Sequence, residues 1–444
     1  MATAVSKRKF VCVDLKDNHN KYWDVTLFDN GDVLTEWGRV GYGETNGVHL
    51  TTQSKTHFGV GQHFIDSKLK EKYKKGYKEI DTIDAAVGSN GKAKVVVSNN
   101  LQKIAQDQIA SSHPQTQKLV TYLTKVNAHN IYDVTGGKIE YDIDDGLLKT
   151  ARGIITQNAI AEARGLLDEI VVFIHKKKFE DDRTIELVEN FLTIVPQNMG
   201  MKRFTVQSFL PDVVAVQKQN DLLDALDASF AAALKAKPKS KKDAEKEKDA
   251  PKIFDVRLEL IEDGKVMDKI QKQYEQSKNR QHQSSRFKIQ CAYAVEVTSV
   301  AAAFDAARKK YGEVWRLWHG TKASNLLSIL KSGLIIPPTS SPYVTGRMYG
   351  NGVYASDQST KALNYATSFW GGKDEGRYFM FLLDMAMGKY YTPQSSGWGR
   401  VDGAYPKKGY DSTFAKAGAS GVMNNEMIVY NIDQVNLVYL VEFK

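Results

Sequence analysis

The sequence predicts an α+β multidomain chain. A small β-rich domain with one helix comes first, an all-α helical bundle second, and a mixed α+β domain on antiparallel sheets last. Three features lead there. Strand-like alternation surrounds a tight turn near residue 30. Apolar residues then recur at helical spacing over residues 98–234. Beyond a lysine-rich stretch, short apolar runs separated by glycine loops return.

Residues 22–28 alternate, Asp29-Asn30-Gly31-Asp32 is a hairpin turn, and residues 33–37 return. Residues 58–77 read as a helix with Phe64, Leu69 and Tyr73 on its apolar positions and lysines outside. This first domain spans 8–85, and residues 81–94 are small and polar, as a linker would be. In residues 98–234, Ile104, Ile109, Leu119, Leu123 and Val126 keep helical spacing, as do Leu187, Val188, Phe191 and Leu192, then Leu222, Leu223, Leu226 and Phe230. These stripes read as the core of a helical bundle rather than as cofactor ligands. Residues 235–250 form a charged connector whose segment 237–242 has the composition of a nuclear import signal or of a plain solvated linker. Residues 251–444 carry strand-like runs at 253–261, 292–300, 314–318, 377–387, 426–430 and 437–443, with a helical stretch at 269–281.

The chain has 444 residues, with Lys+Arg 61 against Asp+Glu 52, a net charge of +9. That excess suits a polyanionic partner but also fits an ordinary solvated surface. The two cysteines, Cys12 and Cys291, are too few for a disulfide framework or a four-cysteine zinc site, so a reducing compartment is expected. No apolar run is long enough for a membrane span, and Lys7, Arg8 and Lys9 precede strand-like sequence rather than a signal-peptide core. The HExxH, GxGxxG and GxxxxGK[ST] patterns are missing, so a nucleotide would be held without Rossmann or P-loop devices.

Trp37-Gly38-Arg39 closes a strand, with Asn20, Lys21, Tyr22 and Trp23 on the strand before it. The helix offers Lys68, Lys70, Lys72, Lys74 and Lys75 among Tyr73 and Tyr77. Aromatic faces stack on exposed bases or sugars, and cations neutralise phosphates, so a nucleic-acid end fits better than a duplex groove. A hairpin domain with Trp37 in its core and a lysine-rich outer helix fits these residues equally well.

In the last domain, three strand-like runs each end on one polar side chain: His319, Tyr354 and Glu426. An imidazole, a phenol and a carboxylate suit cleavage of the nicotinamide–ribose bond of NAD. There the ribose passes through an oxocarbenium-like state, and the cationic pyridine ring wants aromatic faces. His319 would meet a ribose hydroxyl, and Gly320 would let the backbone approach the carboxamide. Tyr354 follows a Gly-Asn-Gly turn, Tyr365 would give a second ring, and Glu426 would orient an incoming hydroxyl.

Two resemblances add to this. Residues 8–80 resemble a WGR domain. The resemblance implies binding of DNA strand-break ends through Asn20, Lys21, Trp37, Gly38, Arg39 and Tyr77. Residues 251–444 resemble the catalytic domain of the poly(ADP-ribose) polymerases. Residues 317–321, 344–357, 361–365, 425–430 and 431–439 match in order, and the family's His-Tyr-Glu set falls on His319, Tyr354 and Glu426. The resemblance further implies a nicotinamide clamp at Gly320 and Tyr365, adenosine-side contacts at Thr321 and Asn325, and Lys361 beside Glu426. Residues 192–196 and 200–202 resemble the family's helical regulatory domain. Three positions depart from the pattern: Ala362 replaces a serine, Ile335 an arginine and Arg347 a tyrosine.

The expected function is therefore a DNA-break-stimulated NAD+ ADP-ribosyltransferase of the poly(ADP-ribose) polymerase kind. NAD+ is its substrate and no metal is needed. Expected partners are DNA strand-break ends and protein acceptors, the chain itself included. The chain is expected to be monomeric off DNA, to have no membrane association, and to be nuclear in a eukaryote or in the nucleoid and cytoplasm otherwise. The rival readings are a DNA-end-binding adaptor with a weak or silent NAD pocket, and a mono-ADP-ribosyltransferase.

Overall fold

The computed structural model describes residues 2–40, 44–45, 48–49, 52–80, 82–83, 101–142, 147–150, 152–199, 204–234, 252, 254–336, 348–367, 369, 376–395, 397 and 401–444. The connector 235–250, Gly200, Met201, Lys202 and Arg347 lie outside them. The chain divides into two compact units, Met1–Ser98 with Ala128–Leu234, and Asn99–Asn127 with Lys235–Lys444. Among the described residues no helix is long and apolar enough to cross a membrane.

The first unit holds a five-stranded antiparallel sheet in the order Gln53–His57, Val33–Arg39, His19–Phe28, Ala4–Asp14 and Lys78–Glu79. The hairpin turn forms where the sequence places it, with Gly31 at φ 83° and its N–H donating to Phe28 O at 3.0 Å. The helix Gly61–Lys74 buries Ile65 and Leu69 against Phe10, Trp23, Val25 and Val33. Tyr73, expected on the apolar face, is instead 50% exposed. Ile65 and Leu69 fix that face, and the next position along it is Lys72. Its Nζ lies 5.1 Å from the Trp23 ring centroid and 4.7 Å from that of Tyr77, so its aliphatic stem covers the rings.

The helices Gln157–His175 and Asp182–Ile194 start on real caps, Thr156 accepting from Ala159 N at 3.2 Å and Asp181 from Arg183 N at 3.0 Å. Leu167, Ile170, Val171, Leu187, Val188, Phe191, Leu222, Leu223 and Leu226 are buried, as the helical spacing requires. Helix is not the whole of this stretch. Ile139–Asp142 pairs with Leu147–Thr150, and Ile154–Ile155 pairs with Thr82–Ile83, two residues the sequence places in a linker. Strands this short give no periodicity to read.

Arg152 follows that hairpin and ion-pairs with Asp24, both nearly buried, while its guanidinium carbon stands 4.0 Å from the Tyr22 ring centroid. Burial pushes the Asp24 carboxyl up and Arg152 pulls it back. Arg152→Ala should cost roughly 3–5 kcal/mol, the price of a buried unpaired charge. With its pKa raised, Asp24 binds a proton more tightly folded than unfolded. The deficit should therefore shrink as pH falls through the Asp24 titration. Denaturant melts of wild type and variant at two pH values check this. A deficit that grows in acid contradicts it.

The second unit is built on a five-stranded antiparallel sheet in the order Val256–Leu260, Ile289–Val297, Val435–Phe443, Tyr378–Ala386 and Val314–Thr321. A second sheet runs Val353–Ala355, Glu426–Val429, Ser412–Ala415 and Tyr390–Tyr391. Ala110 extends the first sheet, its N–H donating to Val256 O and its carbonyl accepting from Leu258 N, both at 2.9 Å. The strand expected over 292–300 ends at Val297, where the helix Thr298–Tyr311 begins. Its alanine-rich start favours helix, and the sequence reading missed it. The helix expected over 269–281 runs Gly264–Gln276, capped by Asp263, whose side chain accepts from Lys265 N at 2.8 Å.

Candidate active site

The two sheets of the second unit join where Trp318 and Ser356 exchange backbone hydrogen bonds, Trp318 N to Ser356 O at 2.8 Å and Ser356 N to Trp318 O at 3.0 Å. That bridge carries His319 to the strand holding Tyr354, and His319 Nδ1 stands 2.8 Å from the Tyr354 carbonyl. A carbonyl only accepts, so Nδ1 bears the hydrogen and Nε2 keeps a lone pair in the neutral ring. Burial holds the His319 pKa below the ordinary imidazole value, with the Tyr354 carbonyl opposing the shift.

Tyr354 lies opposite Ile428 in the second sheet, so Tyr354, Ile428 and Glu426 share one face. Glu426 Oε1 accepts from Lys361 Nζ at 2.6 Å, the two side chains 16% and 13% exposed. A carboxylate that far from solvent needs a cation, and Lys361 supplies it. Burial pushes the Lys361 ammonium pKa down while Glu426 draws it back. Tyr365, on the same helix as Lys361, is 43% exposed.

The Tyr354 hydroxyl is already engaged. It donates to Gly350 O at 2.8 Å and accepts from Tyr349 N at 2.9 Å, closing the Gly-Asn-Gly turn. Tyr354 therefore offers its ring more than its phenol. Gly350 sits at φ 84°, and a Cβ on Gly352 would lie 2.5 Å from Val429 O, so neither turn position tolerates a side chain. At Gly320 a Cβ would fall 1.8 Å from Ala362 O. Strand and helix meet there backbone to backbone, a reason for glycine distinct from approach to a carboxamide. Thr321 is buried, Asn325 Nδ2 donates to its Oγ1 at 3.4 Å, and Asn325 Oδ1 is buried with no hydrogen-bond partner among the described residues. Ala362 packs in the core with Trp318 and Leu363, whereas Ile335 is 43% exposed.

Ser356 is a residue that sequence reasoning passed over. It is buried, and its hydroxyl donates to Asn425 O at 2.7 Å and accepts from Gln358 N at 3.1 Å. It thus ties the residue before Glu426 to the start of the helix bearing Lys361. Its one sequence signal was its period-two offset from Tyr354, which any strand residue shares.

In the first unit, Lys21 faces Arg39 and Trp23 faces Trp37 across paired strands, placing all four on one face. Trp37 packs half-buried on the core, its Nε1 donating to Gln53 Oε1 at 2.6 Å. Arg39 Nη1 donates to Asn18 O at 3.3 Å. Lys21 is exposed, Asn20 is buried and Tyr77 is half-buried. On the helix, Lys68 and Lys75 pair with Glu71 at 2.9 and 2.6 Å, while Lys70 and Lys74 are exposed. Asp14, Asp17 and His19 bring possible metal-ligand atoms within 4.8 Å of one another, a spacing common in exposed acidic turns.

Three family models match the chain: the poly(ADP-ribose) polymerase catalytic domain over residues 265–444, the WGR domain over 6–83, and the poly(ADP-ribose) polymerase regulatory domain over 111–251. The chain is 25% identical over 483 residues to poly [ADP-ribose] polymerase 1 of Gallus gallus, covering 97% of this chain and 44% of that protein. It is 23% identical to protein mono-ADP-ribosyltransferase PARP3 of Homo sapiens, covering 91% of this chain and 75% of that protein. A putative poly [ADP-ribose] polymerase-like protein of Invertebrate iridescent virus 6 is 34% identical over 132 residues, 28% of this chain and 68% of the viral one. The chain belongs to the poly(ADP-ribose) polymerase family. It spans less than half the length of polymerase 1 from Gallus gallus, Xenopus laevis and Caenorhabditis elegans.

In a chain that cleaves NAD through His319, this geometry would give the pH profile an acid limb. Protonation removes the Nε2 lone pair, and a depressed pKa puts the midpoint below the ordinary imidazole value of about 6.5. Between the folded and ordinary values the unfolded chain binds the extra proton, so this group's contribution to stability also falls as pH drops through that window. A kcat/KM profile checks the limb, and a midpoint above the ordinary value contradicts it.

Proposed function

We propose that the chain is a DNA-break-stimulated NAD+ ADP-ribosyltransferase that releases nicotinamide and passes ADP-ribose to protein acceptors, itself included. The observation that carries this reading is the Lys361-paired Glu426 on the same sheet face as Tyr354, with His319 hydrogen-bonded to that strand. The family models support it.

In this reading NAD is the substrate. His319 Nε2 accepts a hydrogen bond from a ribose hydroxyl. The rings of Tyr354 and Tyr365 flank the pyridinium and favour its cationic state. Gly320 offers backbone to the carboxamide, and Thr321 and Asn325 lie on the adenosine side. The Glu426 carboxylate stabilises the oxocarbenium-like ribose and orients the incoming acceptor hydroxyl, aimed by its hydrogen bond from Lys361. With an acceptor ribose hydroxyl the same arrangement extends a polymer. The hydroxyl a serine would supply at 362 is missing, which weakens hold on the carboxamide by about 1 kcal/mol.

Glu426→Gln should abolish elongation and slow transfer by roughly 10²-fold or more. Labelled NAD and a product gel read this directly. Near-normal polymer would falsify the assignment, and a wild-type product of single units would favour mono-ADP-ribosylation.

The WGR region is proposed to bind DNA strand-break ends through Lys21, Trp37, Gly38 and Arg39, with Asn20 and Tyr77 beneath, and the helical region to restrain turnover until DNA engages. NAD turnover should rise on adding nicked or blunt-ended DNA, and equal rates remove the switch. Arg39→Ala should weaken DNA-end binding and reduce its salt dependence by roughly one ion, leaving DNA-free NAD cleavage near wild type. Unchanged affinity in a salt titration makes Arg39 purely structural.

A further inference from the structure

The helix Ser359–Ala366 carries Lys361 and Tyr365, yet the side chain at its N-cap, Gln358, makes no capping hydrogen bond. Two fully buried hydroxyl residues immediately before Lys361 hold the first turn instead. Ser359 donates from N to Ser277 O at 3.1 Å and from Oγ to Tyr274 O at 3.0 Å. Thr360 Oγ1 accepts from Asn279 N at 3.0 Å and lies 3.0 Å from His282 Nδ1, while its carbonyl accepts from Ser284 Oγ at 2.9 Å.

The proton positions follow from the chemistry. Asn279 Nδ2 can only donate, and it stands 3.4 Å from His282 Nε2, so Nε2 is an acceptor and Nδ1 carries the hydrogen. Nδ1–H then donates to Thr360 Oγ1, whose own hydrogen goes to Asn279 O at 3.4 Å. Burial keeps His282 on its neutral side, in agreement. The Thr360 hydroxyl thus has both lone pairs and its proton committed, which makes it a stiff anchor inside the protein.

Lys361 is the next residue. A lysine ammonium rides on a flexible four-carbon stem, so its placement 2.6 Å from Glu426 depends on where the backbone starts. We propose that Thr360 is a positioning residue for the reaction: its hydroxyl pins the first turn of this helix and so sets Lys361 against Glu426. This rests on the NAD+ transfer reading above.

Thr360→Val keeps the shape and removes the hydroxyl, and Thr360→Ser keeps the hydroxyl. In steady-state NAD cleavage by the full chain with broken DNA, Thr360→Val should lower kcat about tenfold with KM within about twofold, and Thr360→Ser should restore most of the loss. In a Lys361→Met background the valine should add almost nothing, because the two residues act as one unit. A wild-type kcat in Thr360→Val overturns the proposal. So does an equal loss with and without Lys361, the mark of a general packing defect. If circular dichroism shows Thr360→Val unfolded, His282→Gln removes a single bond of the anchor. It should lower kcat about threefold only when Lys361 is present, and an unchanged kcat overturns the proposal equally. A wild-type chain that cleaves no NAD defeats the underlying reading instead, and is recognised because the wild type itself is silent.

Discussion

Two backbone hydrogen bonds between Trp318 and Ser356 fasten the two sheets of the second unit together. His319 follows Trp318 along one strand, and Tyr354 precedes Ser356 by two residues on another. The Ser356 hydroxyl reaches the carbonyl of Asn425, so Glu426 is fixed from the same point. Three side chains more than a hundred residues apart in sequence at the extremes are thus placed by one local contact. Trp318 is fully buried with Ala362, Leu382 and Phe443, so the contact sits on packed core rather than on a mobile loop.

The site's charges follow from its burial. An isolated carboxylate at Glu426 would be expensive, and Lys361 offsets that cost at hydrogen-bond distance. Among the described residues His319 instead bonds the Tyr354 carbonyl, and burial holds its pKa down. A neutral imidazole can accept from and orient hydroxyl groups without adding positive charge. Tyr354 spends its hydroxyl on its own turn, leaving the ring as its contribution.

Strands, main helices and the hairpin turn were legible because alternation, spacing and Asn30-Gly31 each act locally. The Ile139–Asp142 hairpin was not, because four residues carry no period. The helix Thr298–Tyr311 was hidden behind a strand it follows without a loop. Tyr73 was misplaced because Lys72, a charged residue, takes the apolar position. For the site, the residue types His319, Tyr354 and Glu426 stood out through their glycine and apolar surroundings. Ser356 and Thr360 did not, since their roles arise from hydrogen bonds to residues far along the chain. The reason for Gly320 also lay out of reach, because only the folded chain brings Ala362 O against it.

The central proposal is that His319, Tyr354, Tyr365 and Glu426 surround the scissile ribose of NAD. The most direct measurement is a crystal structure of the full chain with a non-hydrolysable NAD analogue. The account predicts the nicotinamide ring between Tyr354 and Tyr365, with ribose hydroxyls on His319 Nε2 and the Glu426 carboxylate. An analogue bound elsewhere, or one whose ribose leaves the Lys361–Glu426 pair untouched, would contradict it.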